Sequence, residues 1–189
     1  MRKLLTFLLL FPLLALAGPL EDGFTAFREG NYAKAFNIWK PLAEEGNADA
    51  QYNVGLLYMN GLGVEKNSRT ARQLFMAAAK QGQADAQYNL GLMYYQGTTV
   101  FRSNKDAFQW WEKAAAQNHA PSQYNLGILY AYGIWVGQDV NKALELWQAS
   151  AAQGNQDAVK TLIRVYEDGQ LGLKKDPQKA EYWKKQLSN

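Results

Sequence analysis

The chain has 189 residues, and 48% of them are hydrophobic, a fraction that is ordinary for a folded protein and too high for a disordered one. It contains no cysteine, which excludes a disulfide framework, a thiol nucleophile and a cysteine-ligated metal site. Its formal net charge is +3, from 20 basic and 17 acidic residues.

The first 17 residues have the three parts of a secretory signal peptide. Arg2 and Lys3 form a short positive region, the stretch from Leu4 to Leu16 is almost entirely apolar, and Ala15-Leu-Ala17 offers small residues to a signal peptidase. The apolar stretch is shorter than the about 20 residues that span a bilayer. Gly18 stands where a lipoprotein would have cysteine. We therefore predict a periplasmic or secreted protein with no membrane span after cleavage.

This signal segment accounts for most of the apparent basicity of the chain. Without Arg2 and Lys3, 18 basic and 17 acidic residues remain, a net charge of +1. A nearly neutral chain gives no electrostatic basis for binding nucleic acid or a strongly anionic surface. We therefore predict that nucleic acid is not a partner.

A pattern of 36 residues recurs after the signal segment. The sequence Ala-Asp-Ala-Gln-Tyr-Asn-Val-Gly from Ala48 returns from Ala84 with leucine in place of valine, and again from Ala120 as Ala-Pro-Ser-Gln-Tyr-Asn-Leu-Gly. A diverged fourth copy begins at Gln156. Each copy continues with a glycine near its middle and then with an alanine followed by a large apolar pair. In the second copy this last element is Ala107 with Trp110-Trp111.

The spacing inside each copy is helical. Tyr52, Leu56 and Met59 fall at positions i, i+4 and i+7, which lie on one face of a helix, and no stretch alternates as a strand would. Each copy is therefore predicted to be a helix, a glycine-containing loop and a second helix. Since two helices cannot bury their apolar faces alone, the copies must stack.

Glycine recurs inside the first helix of the first three copies, as Gly55, Gly91 and Gly127. A glycine there costs up to about 1 kcal/mol relative to alanine, so its repetition needs a repeated reason. The simplest reason is a close backbone approach between adjacent helices. The fourth copy has Ile163 at this position, which fits a terminal copy with no following neighbour.

Together these motifs resemble the Sel1-like repeat (SLR), a 36-residue relative of the tetratricopeptide repeat. The resemblance rests on Ala-Asp-Ala-Gln-Tyr-Asn-Leu-Gly, on Gly-x-Gly-Val and on Ala-x-x-x-Trp-x-x-Ala-Ala-x-Gln, which in the second copy runs from Ala107 to Gln117. It implies an all-α fold, a right-handed α-solenoid of helix-turn-helix repeats, and a role in scaffolding protein complexes, in bacteria often after export. We divide the chain into a signal peptide (1–17), a degenerate helical pair (18–47) and four repeats: 48–83, 84–119, 120–155 and 156–189.

The residues that could carry chemistry follow the repeat instead of standing apart from it. His119, the single histidine, occupies a turn between copies and is expected to be a polar turn residue. Asp49 and Asp85 lie at helix starts, where we expect them to cap the helix and complement its dipole. The recurring tyrosines and tryptophans are expected to be core residues: Tyr58, Tyr94, Tyr130, Tyr166, Trp39, Trp111 and Trp147. We predict no catalytic residue, no metal site and no cofactor.

Five residues that depart from the repeat form the candidate partner-binding site: Tyr95, Phe101, Arg102, Tyr132 and Trp135. The first copy has small or plain residues at the loop positions among them. Because adjacent copies place equivalent loops side by side, the five residues, with Ile134 and Val136, would form one aromatic patch that contains an arginine. Such a composition is enriched at binding hot spots. The alternative is that each large side chain packs into its own repeat.

The sequence therefore predicts a non-enzymatic scaffold or adaptor that binds one or more proteins of the cell envelope. One alternative is a dedicated inhibitor or immunity protein that binds a toxin, and a neighbouring toxin gene would favour it. Another is a cell-wall or antibiotic hydrolase, against which the missing cysteine and the single turn histidine argue. Turnover of wall fragments would favour that alternative.

Export should remove residues 1–17, because Ala15-Leu-Ala17 offers small residues at the positions that signal peptidase reads. Intact mass spectrometry of the exported protein should give the mass of residues 18–189. A membrane-bound protein whose mass still includes residues 1–17 would contradict this prediction.

Overall fold

The computed structural model describes residues 18–187, and within this range the chain forms ten helices and no strand. The predicted signal segment, residues 1–17, lies outside the described residues. No helix between residues 18 and 187 is long and apolar enough to cross a membrane. The helices are α1 (Pro19–Arg28), α2 (Tyr32–Glu44), α3 (Ala48–Asn60), α4 (Ser68–Lys80), α5 (Ala84–Gln96), α6 (Asn104–Ala115), α7 (Ala120–Tyr132), α8 (Val140–Ala152), α9 (Gln156–Asp168) and α10 (Pro177–Leu187).

Each helix packs mainly against its two neighbours in the chain, which is the contact pattern of a stacked repeat. The helices pair as α1–α2, α3–α4, α5–α6, α7–α8 and α9–α10, and the buried core runs along the stack as four successive clusters. The predicted all-α fold, a right-handed solenoid of helix-turn-helix repeats, is confirmed.

The first helices of the copies begin and end in the same way. At each N-terminus the side chain of Asn47, Gln83, His119 or Asn155 accepts a hydrogen bond from a backbone N–H three residues later. At each C-terminus a glycine in the left-handed conformation ends the helix. The expectation that Asp49 and Asp85 are the caps is wrong, because both lie in the first turn after the capping residue. There their charge still complements the helix dipole.

The recurring glycine of the first helix lies against an aromatic ring from the second helix of the same unit. A Cβ atom added at Gly127 would lie 2.5 Å from Nε1 of Trp147, well inside the about 3.5 Å of van der Waals contact. The expectation that these glycines allow a close approach of two backbones is therefore wrong. They instead leave room for an aromatic side chain from the second helix of their own unit. The pairs are Gly23 with Trp39, Gly55 with Phe75, Gly91 with Trp111 and Gly127 with Trp147.

This approach also satisfies the indole N–H of the buried tryptophans. In the second copy, Trp111 Nε1 donates to the backbone oxygen of Tyr88 at 3.2 Å, three residues before Gly91. The equivalent bonds are Trp39 to Leu20 at 3.0 Å and Trp147 to Tyr124 at 3.1 Å. All three tryptophans are buried, which confirms them as core residues. Of the four recurring tyrosines Tyr166 is buried, whereas Tyr58, Tyr94 and Tyr130 are half-buried at the edge of the core.

The last helix pair lacks both members of the glycine–ring pair. Ile163 replaces the glycine and is itself buried. Lys184 lies four residues after the buried Ala180, at the position that an aromatic ring takes in the earlier units, and it forms an ion pair with Glu167. The last described pair therefore packs through an aliphatic side chain, and an exposed charged residue takes the place of the ring.

Buried glutamines and half-buried tyrosines join successive copies. Gln87 Nε2 donates to the backbone oxygen of Ala79 in the preceding copy at 3.1 Å, and Gln87 Oε1 accepts from Gln117 Nε2 at 2.8 Å. Gln51 makes the equivalent two bonds one copy earlier. Tyr52 lies between copies as well, and burial, with the charge of Asp85, raises its pKa to about 12. Because an unpaired buried amide is costly, the glutamine bonds fix how one copy sits on the next.

His119 connects the second and third copies. Its Nδ1 accepts from the backbone N–H of Ser122 in α7 at 3.3 Å, and its Nε2 lies 3.2 Å from Oδ1 of Asp85 at the start of α5. The hydrogen bond from His119 is the main reason why the pKa of the Asp85 carboxyl is lowered. The single histidine is thus a helix cap and a link between copies, in agreement with its expected place in a turn.

Gly91→Ala should destabilise the fold even though alanine is the better helix former. The new methyl group would displace the Trp111 ring from the helix and break its hydrogen bond to Tyr88. We expect a loss of about 1–3 kcal/mol in chemical unfolding, the range for overpacked cores. The control is Ile163→Leu, which changes shape but not volume at the equivalent position and should cost less than about 1.5 kcal/mol. Equal losses at both positions would contradict the role given to the ring.

Asp85→Asn should lower stability near neutral pH by at most about 1 kcal/mol, since Asp85 is half exposed and its interaction is screened. A carboxyl with a lowered folded-state pKa stabilises the fold above its unfolded pKa, about 3.9, and loses this effect as the pH falls through the folded value. The difference from the unmodified protein should therefore shrink below about pH 4 in unfolding curves. Asp49→Asn, the equivalent exposed residue without a histidine partner, should show a smaller difference; an equal one would contradict the His119 contact.

Candidate partner-binding surface

The loops that follow α5 and α7, residues 97–103 and 133–139, carry most of the predicted site. Phe101 is 97% exposed, Trp135 is 56% exposed and Tyr132, at the end of α7, is 57% exposed. Arg102 is exposed and Tyr95 is half-buried. Phe101 and Trp135 are therefore not packed into their own repeats, which was the alternative for these side chains.

Two neighbours of Trp135 behave differently. Ile134 and Val136 are half-buried and pack against a core cluster that copies two and three share, with Phe108 and Trp111 from copy two and Leu126 and Leu129 from copy three. They anchor the loop and leave Trp135, which lies between them, on the outside. Both side chains therefore pack into the core at the boundary between the two copies, and not solely into their own repeat, and they do not belong to the exposed surface.

Trp135 has a backbone conformation that its residue type disfavours. Its φ angle is 71°, in the left-handed region, and the same position in the other copies is also left-handed: Gly63, Thr99 and Leu171, with φ of 68°, 66° and 58°. Glycine adopts this region freely, whereas a residue with a Cβ atom is strained there by about 1–3 kcal/mol. Copy one also needs glycine for space, because a Cβ at Gly63 would lie 2.5 Å from the backbone nitrogen of Ala33. Neither burial nor backbone preference explains a tryptophan at this position.

Two cations lie on aromatic rings of this surface. The Arg102 guanidinium carbon lies 5.4 Å from the centre of the Tyr95 ring, and Lys105 Nζ lies 5.8 Å from the centre of the Trp135 ring. The second contact joins the loop of copy three to the start of α6 in copy two. Within residues 18–187 neither cation forms an ion pair.

The structure thus brings two of the five predicted residues into contact, Tyr95 and Arg102, and it pairs Trp135 with Lys105, which is not one of the five. In the described part of the chain no ring or cation contact joins Phe101 or Tyr132 to these pairs. Lys105 is an addition that sequence reasoning missed. Its signal was its place one residue inside the helix that follows the Phe101–Arg102 loop.

A groove between α5 and α7 borders this surface and was also missed. Its volume is about 180 Å³. The lining residues are mostly apolar: Leu92, Tyr95, Gln96, Trp111, Asn125, Ile128 and Leu129. Tyr95 stands at its rim and contacts the buried Trp111 ring, with ring centres 5.4 Å apart. The arrangement offers aromatic surface, a small apolar groove and two cations, a combination suited to binding a protein.

Known proteins share this architecture and its sequence motifs. The Sel1 repeat family model matches residues 48–83, 84–119, 120–155 and 164–186. A Sel1 repeat protein from Oxalobacter formigenes has a crystal structure that is 30% identical, with a TM-score of 0.81, over 90% of this chain and 71% of that protein. No curated protein matches the chain.

Two further crystal structures resemble the chain. One is c5321, a protective antigen of uropathogenic Escherichia coli strains with an SLR fold, which is 30% identical with a TM-score of 0.79. The match covers 90% of this chain but only 38% of c5321. The other is cysteine rich protein B of Helicobacter pylori, 18% identical with a TM-score of 0.52 over 78% of this chain and 99% of that one, and it shares the fold alone. Because the family model matches more than half of its residues, the chain belongs to the Sel1 repeat family.

Proposed function

We propose that this protein is a non-enzymatic scaffold or adaptor of the bacterial cell envelope, and that it binds a protein partner through the loops of copies two and three. Sel1 repeat proteins serve as scaffolds for protein–protein interaction. The location in the envelope follows from the predicted signal segment. The partner surface consists of Tyr95, Phe101, Arg102, Tyr132 and Trp135, together with Lys105.

The observation that supports this proposal is that Trp135 is exposed and has a left-handed backbone conformation. Its side chain is more than half exposed and its backbone is left-handed, so the fold gains little burial from it and is strained by it. Strained positions persist where the surroundings impose them, and they cluster at functional sites. Tryptophan is also the residue type most enriched at binding hot spots. A tryptophan in this position is therefore better explained by binding than by folding.

Phe101 supports the same conclusion from the neighbouring copy. A phenylalanine that is 97% exposed contributes nothing to the core, and its equivalent in copy one is the charged Glu65. Exposed aromatic residues occur singly on many proteins, but here they lie in equivalent loops of adjacent copies. A partner that spans the two loops would bury both rings.

The double variant Phe101→Ala, Trp135→Ala should keep its fold and lose its partner. Removing exposed side chains changes stability by no more than about 0.5 kcal/mol, so the unfolding midpoint should hardly move. Truncating hot-spot aromatic residues costs about 2 kcal/mol or more in binding, which is roughly thirtyfold in affinity. The partner is first isolated by crosslinking and affinity capture from the protein's own envelope fraction, and its dissociation constant is then measured with both proteins.

Tyr182→Ala is the matched control, because Tyr182 is a 57% exposed aromatic residue of α10, outside the loops of copies two and three. This variant should bind the partner as the unmodified protein does. A large fall in the midpoint of the double variant would make Phe101 and Trp135 structural. Unchanged stability with unchanged binding would move the partner site elsewhere, most simply to the face lined by the first helices.

A further inference from the structure

The groove between α5 and α7 and the arginine above its rim form a combination that the other copies lack. Tyr95 corresponds to Met59 in copy one and to Ala131 in copy three. Arg102 corresponds to Lys66 and Gln138. Only copy two therefore combines an aromatic rim with a guanidinium group.

The equivalent side chain of copy three is directed to its own helix. Gln138 Nε2 donates to the backbone oxygen of Ala131 at 2.8 Å, so its amide is already used within the repeat. Arg102 instead lies 5.4 Å from the Tyr95 ring centre, is exposed, and has no carboxylate partner in the part of the chain that the structure describes. An arginine packed on a ring keeps N–H donors at its edge, and these match the two oxygens of a carboxylate.

The size of the groove limits what it can hold. Sites for small molecules usually measure about 300–1,000 Å³, whereas this groove measures about 180 Å³. Apolar residues such as Leu92 and Ile128 line it together with Tyr95. These dimensions fit one aliphatic or aromatic side chain of a protein better than a whole small ligand.

We propose that the α5–α7 groove and Arg102 together bind a short acidic segment of the protein partner. One apolar side chain of the segment occupies the groove, and a neighbouring aspartate or glutamate pairs with the Arg102 guanidinium. Lys105, the second cation without an ion pair in residues 18–187, adds to the positive potential of the same surface. This inference rests on the proposed function, since it specifies the chemistry of the partner that the loops of copies two and three bind.

The test uses a library of random short peptides displayed on phage and selected on the purified exported protein. The selected peptides should share an acidic residue next to an aliphatic or aromatic one. For a synthetic selected peptide, replacing its glutamate by glutamine should weaken binding about two- to fivefold, the range for an exposed charge pair. This difference should shrink at high salt, because the Debye length falls from about 10 Å at 0.1 M to about 3 Å at 1 M.

Variants of the protein assign the effect to Arg102. Arg102→Gln should abolish the difference between the acidic peptide and its glutamine version, and Arg102→Lys should restore part of it. Lys66→Gln removes the exposed cation at the equivalent position of copy one and should leave the difference unchanged. Selected peptides without an acidic residue, or a difference that survives Arg102→Gln, would overturn the inference, as would a selection that enriches no peptide.

A second pair of variants tests the groove. Ile128→Arg introduces the residue type that copy four has at this position, Arg164, and should abolish binding of both peptides by filling the groove. Leu56→Arg makes the same change at the equivalent half-buried position of copy one and should leave binding intact. Unfolding curves of both variants show whether each is folded. Peptides that bind equally to Ile128→Arg would place the apolar side chain elsewhere.

The outcome also separates this inference from the proposed function. If selected peptides have no acidic preference but lose affinity for the Phe101→Ala, Trp135→Ala double variant, the acidic segment is wrong and the loop surface stands. If binding depends on Arg102 and the groove but not on the two aromatic side chains, the acidic segment stands and the role given to Phe101 and Trp135 is wrong.

Discussion

The contact between a glycine and an aromatic ring determines how the two helices pack together in the first four helix pairs. A second-helix ring lies where the glycine's side chain would be, and in three of the four units the indole N–H reaches a first-helix carbonyl. One residue thus fixes both the distance between the two helices and the rotation of one about the other, since a hydrogen bond to one carbonyl tolerates little sliding. The about 1 kcal/mol that glycine costs in a helix is offset by burial of a whole indole ring.

The stacking of one pair on the next depends on this geometry. The glutamine bonds from Gln51 and Gln87 cross to the preceding copy at equivalent places, and the bond from His119 to Asp85 adds one further link, between the starts of α7 and α5. The glutamine bonds can repeat because successive pairs present an equivalent backbone oxygen, that of Ala43 and that of Ala79. The contacts between copies are therefore made by side chains of the helices, of their N-caps and of the turns between copies. The loop inside each copy, between its two helices, takes no part in these hydrogen bonds.

This division leaves the loops after the first helices free to differ. Their ends are fixed by a left-handed glycine on one side and a capped helix on the other, and apolar residues such as Val100, Ile134 and Val136 anchor them to the core. The remaining loop positions are exposed and can change without loss of core contacts. Copy one has Gly63 and Glu65 there, and copies two and three have Phe101, Arg102 and Trp135. Change in such loops alters the surface without altering the stack, which is how a repeat fold acquires a specific partner.

Much of this could be predicted from the sequence, because a period of 36 residues with helical spacing inside it allows few structures other than stacked helix pairs. The exceptional loop residues were also visible, since a repeat reveals its own departures. Three features depend on distances between helices and required the tertiary structure. The glycines face rings of their own copy, Ile134 and Val136 are anchors while Trp135 is exposed, and a groove between α5 and α7 lies beside Arg102. Sequence spacing fixes which residues share a face of one helix, but it cannot fix which atoms of the next helix meet that face, because this depends on how the side chains pack.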